Sequence, residues 1–450
     1  MKAIMREEQE MKDSGIGWIG KIPYCWLTAR LKDVSEIQTG STPDKKFQAE
    51  YYSQDGGIPW IKAENLGTPY PILETKEYLT SNGCSVGRVF PANTVYVCCI
   101  ASIGKVGYST IQCSCNQQIN GILFDNKYIN YKYGYYLSIS QEEEYVLRAS
   151  GNVLKILNTQ QQSYISCVIP TLNEQQLIAN YLDDRCSKID AIIAEAKASI
   201  EEYQELKQAV IYEAVTKGLD KTVEMKDSGV EWVEKIPNNW HIVKITRILD
   251  KEHPYAIGDG DHGSIKTEQY RNSGIPFIRV QNLGWGTALN MDNVVYISEE
   301  DNKQIQNSTL RPNDILFAKT GATIGKTAIM PEEIPIANTT SHVGKISISK
   351  EHNSRYIFYV LSSQIGYRQF WDIAMQKTTR PELSIEETKS IKVVLPADKT
   401  IEDSIVNYLD EKIPVFDDMI NTKASLIEDL EAYKKSLIYE VVTGKRKVVA

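Results

Sequence analysis

The chain has 450 residues, 42% hydrophobic and 24% charged, with a net charge of −8 at pH 7. That length supports roughly two to four domains with substantial cores, and the absence of any run of 18 or more apolar residues excludes an apolar membrane-spanning helix. The acidic balance argues against indiscriminate nucleic-acid coating, but it is uneven: residues 27–168 carry 12 Lys+Arg against 12 Asp+Glu, and residues 241–394 carry 18 against 17.

The polar opening (MKAIMREEQEMKDSG) has no apolar signal-peptide core, so the expected location is the cytoplasm. The stretch MKDSGIGWIGKIPYCW (11–26) then recurs as MKDSGVEWVEKIPNNW (225–240), with ten of sixteen positions identical. The echo continues along the chain. Gly57–Lys62 matches Gly274–Arg279, Ile103-Gly104-Lys105 matches Ile324-Gly325-Lys326, Asn180–Asp183 matches Asn407–Asp410, and Ile211–Thr216 matches Ile438–Thr443. An offset above 200 residues indicates a duplicated unit rather than a short solenoid repeat.

Each copy begins with a stretch of short β-like runs, such as TVYVCCIA (94–101) and DILFAKT (314–320), broken by Gly, Pro and Asn. The Tyr-rich segments 131–139 and 355–363 are expected to form one helix in each copy. Each copy closes with a helical stretch. Ile189, Ile193, Ala196, Ile200, Tyr203, Lys207, Val210 and Ala214 step by four and three, as do Phe416, Ile420, Lys423, Ile427, Leu430, Lys434, Leu437 and Val441. Lys207 in the first seam and Lys423 and Lys434 in the second leave neither an adequate core alone, so the two are expected to pair antiparallel. Pro414 is expected to kink or restart the second helix. About 28 residues at about 1.5 Å each give roughly 42 Å, comparable to the about 34–36 Å between half-sites one turn of DNA apart.

The expected architecture is therefore α+β: two pseudo-twofold-related, mixed but mainly β globules joined by a stem of two long antiparallel helices. The expected boundaries are 1–168 and 219–394 for the globules and 169–218 and 395–450 for the helical spacers. The seamless join of the two copies (VTKGLDKTVEMKDSG at 215–229 against VTGKRKV at 442–448) also suggests that the two chain ends lie close together.

Motifs for chemistry are sparse. GATIGKT (321–327) has three residues between its glycines where a phosphate loop needs four, and its partner ASIGKVG (101–107) lacks the first Gly; a hairpin turn explains both. GDGDHGS (258–264) lacks the later Glu of a calcium loop. All eight cysteines fall between Cys25 and Cys186 with no C-x-x-C pair, a pattern of free buried thiols rather than a metal site. No catalytic, cofactor-binding or metal-binding residue is assigned.

The leader motif, the Ile/Leu-Pro before each helix, and the blocks IANYLD (178–183) and YEVVTGK (439–445) resemble the specificity subunit of type I restriction–modification enzymes. The resemblance runs from about residue 11 to 446. It implies two target-recognition domains, each reading half of a split, asymmetric DNA target, with the stem as a ruler for the gap. It implies no chemistry or cofactor in this chain; two adenine-N6 methyltransferase subunits with S-adenosylmethionine, and motor-nuclease subunits with ATP and Mg2+, would supply that. The other reading is a coiled-coil scaffold that binds proteins only.

For base reading, residue types guide the choice: Arg and Lys for guanine, Asn and Gln for adenine, small hydroxyls and lysines for phosphate. The candidates are Thr39, Ser41, Lys45, Lys46, Lys62, Lys105, Asn116, Gln117 and Gln118 in the first copy. In the second they are Lys266, Arg271, Arg279, Lys319, Lys326, Thr339, Ser341, His342, Lys377 and Arg380.

Overall fold

The computed structural model describes residues 1–286, 288–376 and 381–449. The chain divides into two compact units, one of residues 1–197 with 424–450 and one of residues 198–423. The division cuts across two long helices, Leu172–Lys217 and Lys399–Val442, so that each unit holds one globule and a half of each helix. No helix among the described residues is long and apolar enough to cross a membrane.

The first long helix starts at a capping box. The Thr171 hydroxyl accepts from the Glu174 amide at 3.4 Å, and the Glu174 carboxylate accepts from the Thr171 amide at 3.3 Å. It ends where Gly218 takes a left-handed φ of +75°. The second starts at Asp398, whose carboxylate accepts from the Thr400 amide at 2.9 Å, and ends before Gly444, at φ +77°. Pro414 lies inside this helix, which does not restart there.

Within each unit the two helical halves run antiparallel in the same register. Asp190 pairs with Lys434 at 2.6 Å in the first unit, and Lys207 with Asp417 at 2.6 Å in the second. Two of the seam lysines are thus accounted for: Lys207 and Lys434 each set an ammonium against a carboxylate. Ile189, Ile193 and Leu437 are buried in the first unit, with Ile427 and Leu430 packed against the same core. In the second unit Val210 packs against the core, and Tyr203, Ile200, Phe416 and Ile420 are half-buried.

The globules repeat one topology. In the first, an antiparallel sheet is ordered Val106–Ser109, Thr94–Cys98, Ile119–Phe124, Ser35–Thr39. In the second the order is Thr327–Ile329, Ile315–Ala318, Val343–Ile346, Ile257–Asp259. A second sheet in each holds one parallel pair: Ile58–Ile61 beside Cys113–Cys115, and Ile275–Ile278 beside Asn338–Thr339. The near-continuous apolar runs of these strands suit two-sided burial, and Val95, Tyr96, Val97 and Ile315–Ala318 are fully buried.

The Tyr-rich segments form helices Tyr131–Ser140 and Ser354–Ser362, capped by Asn130 and Asn353. They fasten each globule to both helical halves of its unit. Tyr133 donates its hydroxyl to the Val168 and Val442 carbonyls at 3.1 and 3.2 Å; Tyr356 donates to those of Val394 and Val215 at 3.0 and 3.2 Å. Tyr136 donates to Asp183 at 2.8 Å, and Tyr359 to Asp410 at 2.5 Å. Burial raises all four phenol pKa values, keeping the donors protonated. In the first unit Lys2–Met5 pairs antiparallel with Arg446–Val449, which brings the two ends together as the sequence suggests.

Candidate nucleic-acid interface

One end of each globule collects loops that are distant in sequence. In the first, the parallel strands end at Ile61 and Cys115, and the Asn116 amide donates to the Ile61 carbonyl at 3.1 Å. The chain leaving the edge strand at Thr39 turns onto the same spot, where the Ser41 amide donates to the Cys115 carbonyl at 2.9 Å. Gly40 permits this approach: a Cβ there would stand 2.3 Å from the Cys115 carbonyl oxygen and 2.4 Å from that of Asn116. The hairpin turn joins them through the Cys99 amide, which donates to the Gln118 carbonyl at 2.7 Å.

The second globule does the same with other side chains. The Thr340 amide donates to the Ile278 carbonyl at 3.1 Å, the Asp261 amide to that of Thr339 at 3.2 Å, and the Lys319 amide to that of His342 at 3.0 Å. A Cβ on Gly260 would stand 2.0 Å from the Thr340 carbonyl carbon. So TGSTPDKK meets NQQ, and GDGDHGS meets TSH. These four stretches are separate in sequence and two sites in space.

In the first site Lys45 and Lys46 are exposed on a single turn capped by Asp44, and Gln117 is exposed at the tip of its loop. Gln118 and Asn116 brace each other, the Gln118 amide donating to Asn116 Oδ1 at 3.1 Å. Thr39 donates its hydroxyl to Asn120 at 2.8 Å, and Ser41 Oγ accepts from the Arg88 amide at 2.6 Å. Lys62 pairs with Glu77 and lies over the Trp60 ring at 5.1 Å. Arg88 is a member that residue-type reasoning missed. It is exposed, and its guanidinium donates to the Thr39 carbonyl. No local motif marks it, because its neighbours belong to another loop.

In the second site His342 and Lys266 are exposed and Ser341 is half-buried. Arg279 donates to the Asn293 carbonyl at 2.7 Å and lies over Tyr270 at 5.7 Å, at the position Lys62 holds in the first. Two candidates turn inward. Thr339 is fully buried and donates to the Ile278 carbonyl at 2.9 Å, while Lys319 is 4% exposed and paired with Asp259. Arg271 sits on a strand edge, bridged to Tyr296. Lys377 and Arg380 lie outside the described residues.

Lys105 and Lys326 occupy hairpin turns, as the spacing of GATIGKT suggests. Cys98 and Ala318 each donate an amide to the lysine carbonyl at 2.8 Å, and Gly104 and Gly325 share φ +91°. The carboxylates of GDGDHGS are taken up by the protein. Asp261 accepts from the Ile265 amide at 2.9 Å and the Ser341 amide at 3.2 Å, and Asp259 meets Lys319 and His262. The thiols of Cys99 and Cys113 are pushed up by burial to about 12 and about 11, which keeps them protonated and unreactive.

A family model described as the type I restriction modification DNA specificity domain matches residues 23–202 and 237–431. The MjaIX specificity subunit of Methanocaldococcus jannaschii is 24% identical over 98% of both chains, and the MjaVIII specificity subunit of the same organism is 22% identical over 95% of this chain and 94% of that one. The EcoBI specificity subunit of Escherichia coli is 25% identical over 86% of this chain and 80% of that protein. A chain from a solved type I restriction–modification system shares the fold, with a TM-score of 0.66 at 14% identity over 94% of this chain and 99% of that one. With the family model spanning both globules and most of each long helix, the chain belongs to the specificity subunits of type I restriction–modification systems, which are non-catalytic DNA-recognition components.

Proposed function

We propose that the two loop clusters read the two halves of a split, asymmetric DNA target, the first with residues 1–168 and the second with 219–394. The helical spacers 169–218 and 395–450 set the gap between the halves and hold two adenine-N6 methyltransferase subunits. Motor-nuclease subunits complete the assembly, and S-adenosylmethionine, ATP and Mg2+ serve on those partners. The cytoplasm, where the host DNA lies, is the place of action.

One observation carries this reading. The backbone frame of the two clusters is the same, while the side chains it presents differ: Asn116-Gln117-Gln118 against Thr340-Ser341-His342, Lys62 against Arg279, and Thr39-Gly40-Ser41 against Asp259-Gly260-Asp261. A conserved frame with exchanged tips suits two readers of different base sequence, because base edges are distinguished by the donors and acceptors presented to them.

The test is a single-molecule methylome of cells expressing this chain with its methyltransferase subunit, against cells lacking this chain. A split motif with adenine methylated in each half, on opposite strands, is the expected result. Identical methylomes would leave a protein-only scaffold as the better account. For the ruler, seven residues inserted in register into both helices add about 10 Å, or roughly three base pairs. The gap in the methylated motif should lengthen, and an unchanged gap would refute the ruler.

A further inference from the structure

Beside the first loop cluster stands a short loop to which residue-type reasoning assigned no role. Ser150 and Ile156 exchange backbone hydrogen bonds at 3.0 and 2.9 Å, and the Gln161 amide group holds the Ser150 hydroxyl at 2.9 Å. Gly151, at φ +133°, closes the turn; a Cβ there would lie 2.1 Å from the Leu154 carbonyl oxygen. This closed loop presents Val153 wholly exposed and Leu154 half exposed, followed by exposed Lys155.

Its place is fixed by two further bonds. The Leu157 amide donates to the Cys99 carbonyl at 2.9 Å, and the Cys99 amide donates to the Gln118 carbonyl at 2.7 Å. The apolar tip therefore stands at the same end of the globule as Gln118, Asn116 and Lys105. Gly151 and Asn152 supply the turn chemistry, so the two aliphatic side chains that follow are not needed to close the loop. An ordered loop that holds two aliphatic side chains in water has an apolar feature to meet. Phosphates and base-edge donors do not fit that description. In the major groove the thymine C5-methyl does.

We infer that Val153 and Leu154 form a specificity contact with a thymine methyl in the half-site read by the first unit. The inference rests on the DNA-reading function proposed above. The corresponding segment of the second unit, located by the Thr320–Glu382 bridge and the Leu383-to-Lys319 hydrogen bond at 2.9 Å, includes residues 377–380, outside the described residues; its sequence is Lys-Thr-Thr-Arg.

The experiment uses the full chain with its methyltransferase subunits and duplexes of the methylome-defined target. Each thymine is replaced in turn by deoxyuridine, which removes only the methyl group. For the native complex, one position should weaken binding about fourfold, the worth of one buried methyl. Leu154→Asn, and separately Val153→Ser, should abolish sensitivity at that position and leave the other positions unchanged. If no position loses its sensitivity in either variant, the inference is wrong. A variant that weakens every duplex equally and reduces DNA bending would indicate a wedge between bases instead, and would also overturn it. Failure of the native complex to select any split target would overturn the reading function itself, and the thymine contact with it.

Discussion

The two units hold their shared and their separate features in different places. Where the helices meet the globules they are near copies, down to Tyr133 and Tyr356 each spanning two carbonyls and Tyr136 and Tyr359 each held by an aspartate. At the loop end the backbone hydrogen bonds persist while the side chains change. In the interior the second unit departs on its own account. It buries Lys345, whose ammonium donates to the Thr309 carbonyl at 2.5 Å beside His253 at 3.5 Å, where the register of the first unit has Gly121 packed against Phe90. The difference separates scaffold from reader. Duplication preserved the parts that position the globule and released those that present groups outward, so that one chain imitates a dimer without being bound to a palindrome.

The comparison can be broken most severely at its glycines. Gly40→Ala and Gly260→Ala each drive a methyl into a backbone carbonyl group at 2.0–2.3 Å. Each should cost about 3 kcal/mol by overpacking, seen as a lower urea midpoint. Each should relax methylation specificity only in its own half of the target. Loss of both halves from either variant would show that the clusters do not read independently.

The stem offers a smaller contrast. Lys207 has a side chain 7% exposed against a 40% exposed Asp417, whereas Lys434 and Asp190 are 25% and 28% exposed. Asp417→Ala leaves a nearly buried ammonium without its partner and should cost about 2 kcal/mol; Asp190→Ala, whose lysine regains water, should cost about 1 kcal/mol or less. Equal midpoints in chemical unfolding would contradict this ranking.

A third contrast is silent at neutral pH: an acid sensitivity of the second unit that comes from His253. Burial, with Lys345 and Arg311 nearby, lowers His253 to about 4 from an ordinary 6.5. As pH falls below about 6.5 the unfolded chain takes up this proton first, so the contribution is complete above that value and is lost as pH falls toward 4. Hydrogen-exchange protection of Val343–Ile346 should decline across that window, and His253→Asn should flatten the decline. Matching decline in Thr94–Cys98 of the first unit would place the cause elsewhere.

Much of the scaffold was legible because its signals are periodic or repeated. A Pro- and Gly-free heptad seam reads as a helix from one strand of text, and a leader written twice reads as a duplication. Pro414 shows a limit: a helix packed on a partner along its length absorbs one missing amide that an isolated helix would not. The loop clusters were legible only as residue types. Their assembly depends on closures between segments about 80 residues apart, licensed by Gly40 and Gly260, and no local pattern announces which carbonyl a glycine will face. The same non-local packing turned Thr339 and Lys319 inward and placed Arg88 in the first cluster.

The central claim is that each globule reads its own half. The most direct measurement exchanges residues 27–168 for the corresponding globule of another specificity subunit and reads the methylome of cells carrying the hybrid with the methyltransferase subunit. One half of the split motif should change to that of the donor, while the other half and the gap stay as they were. A change in both halves, or in neither, would contradict the account.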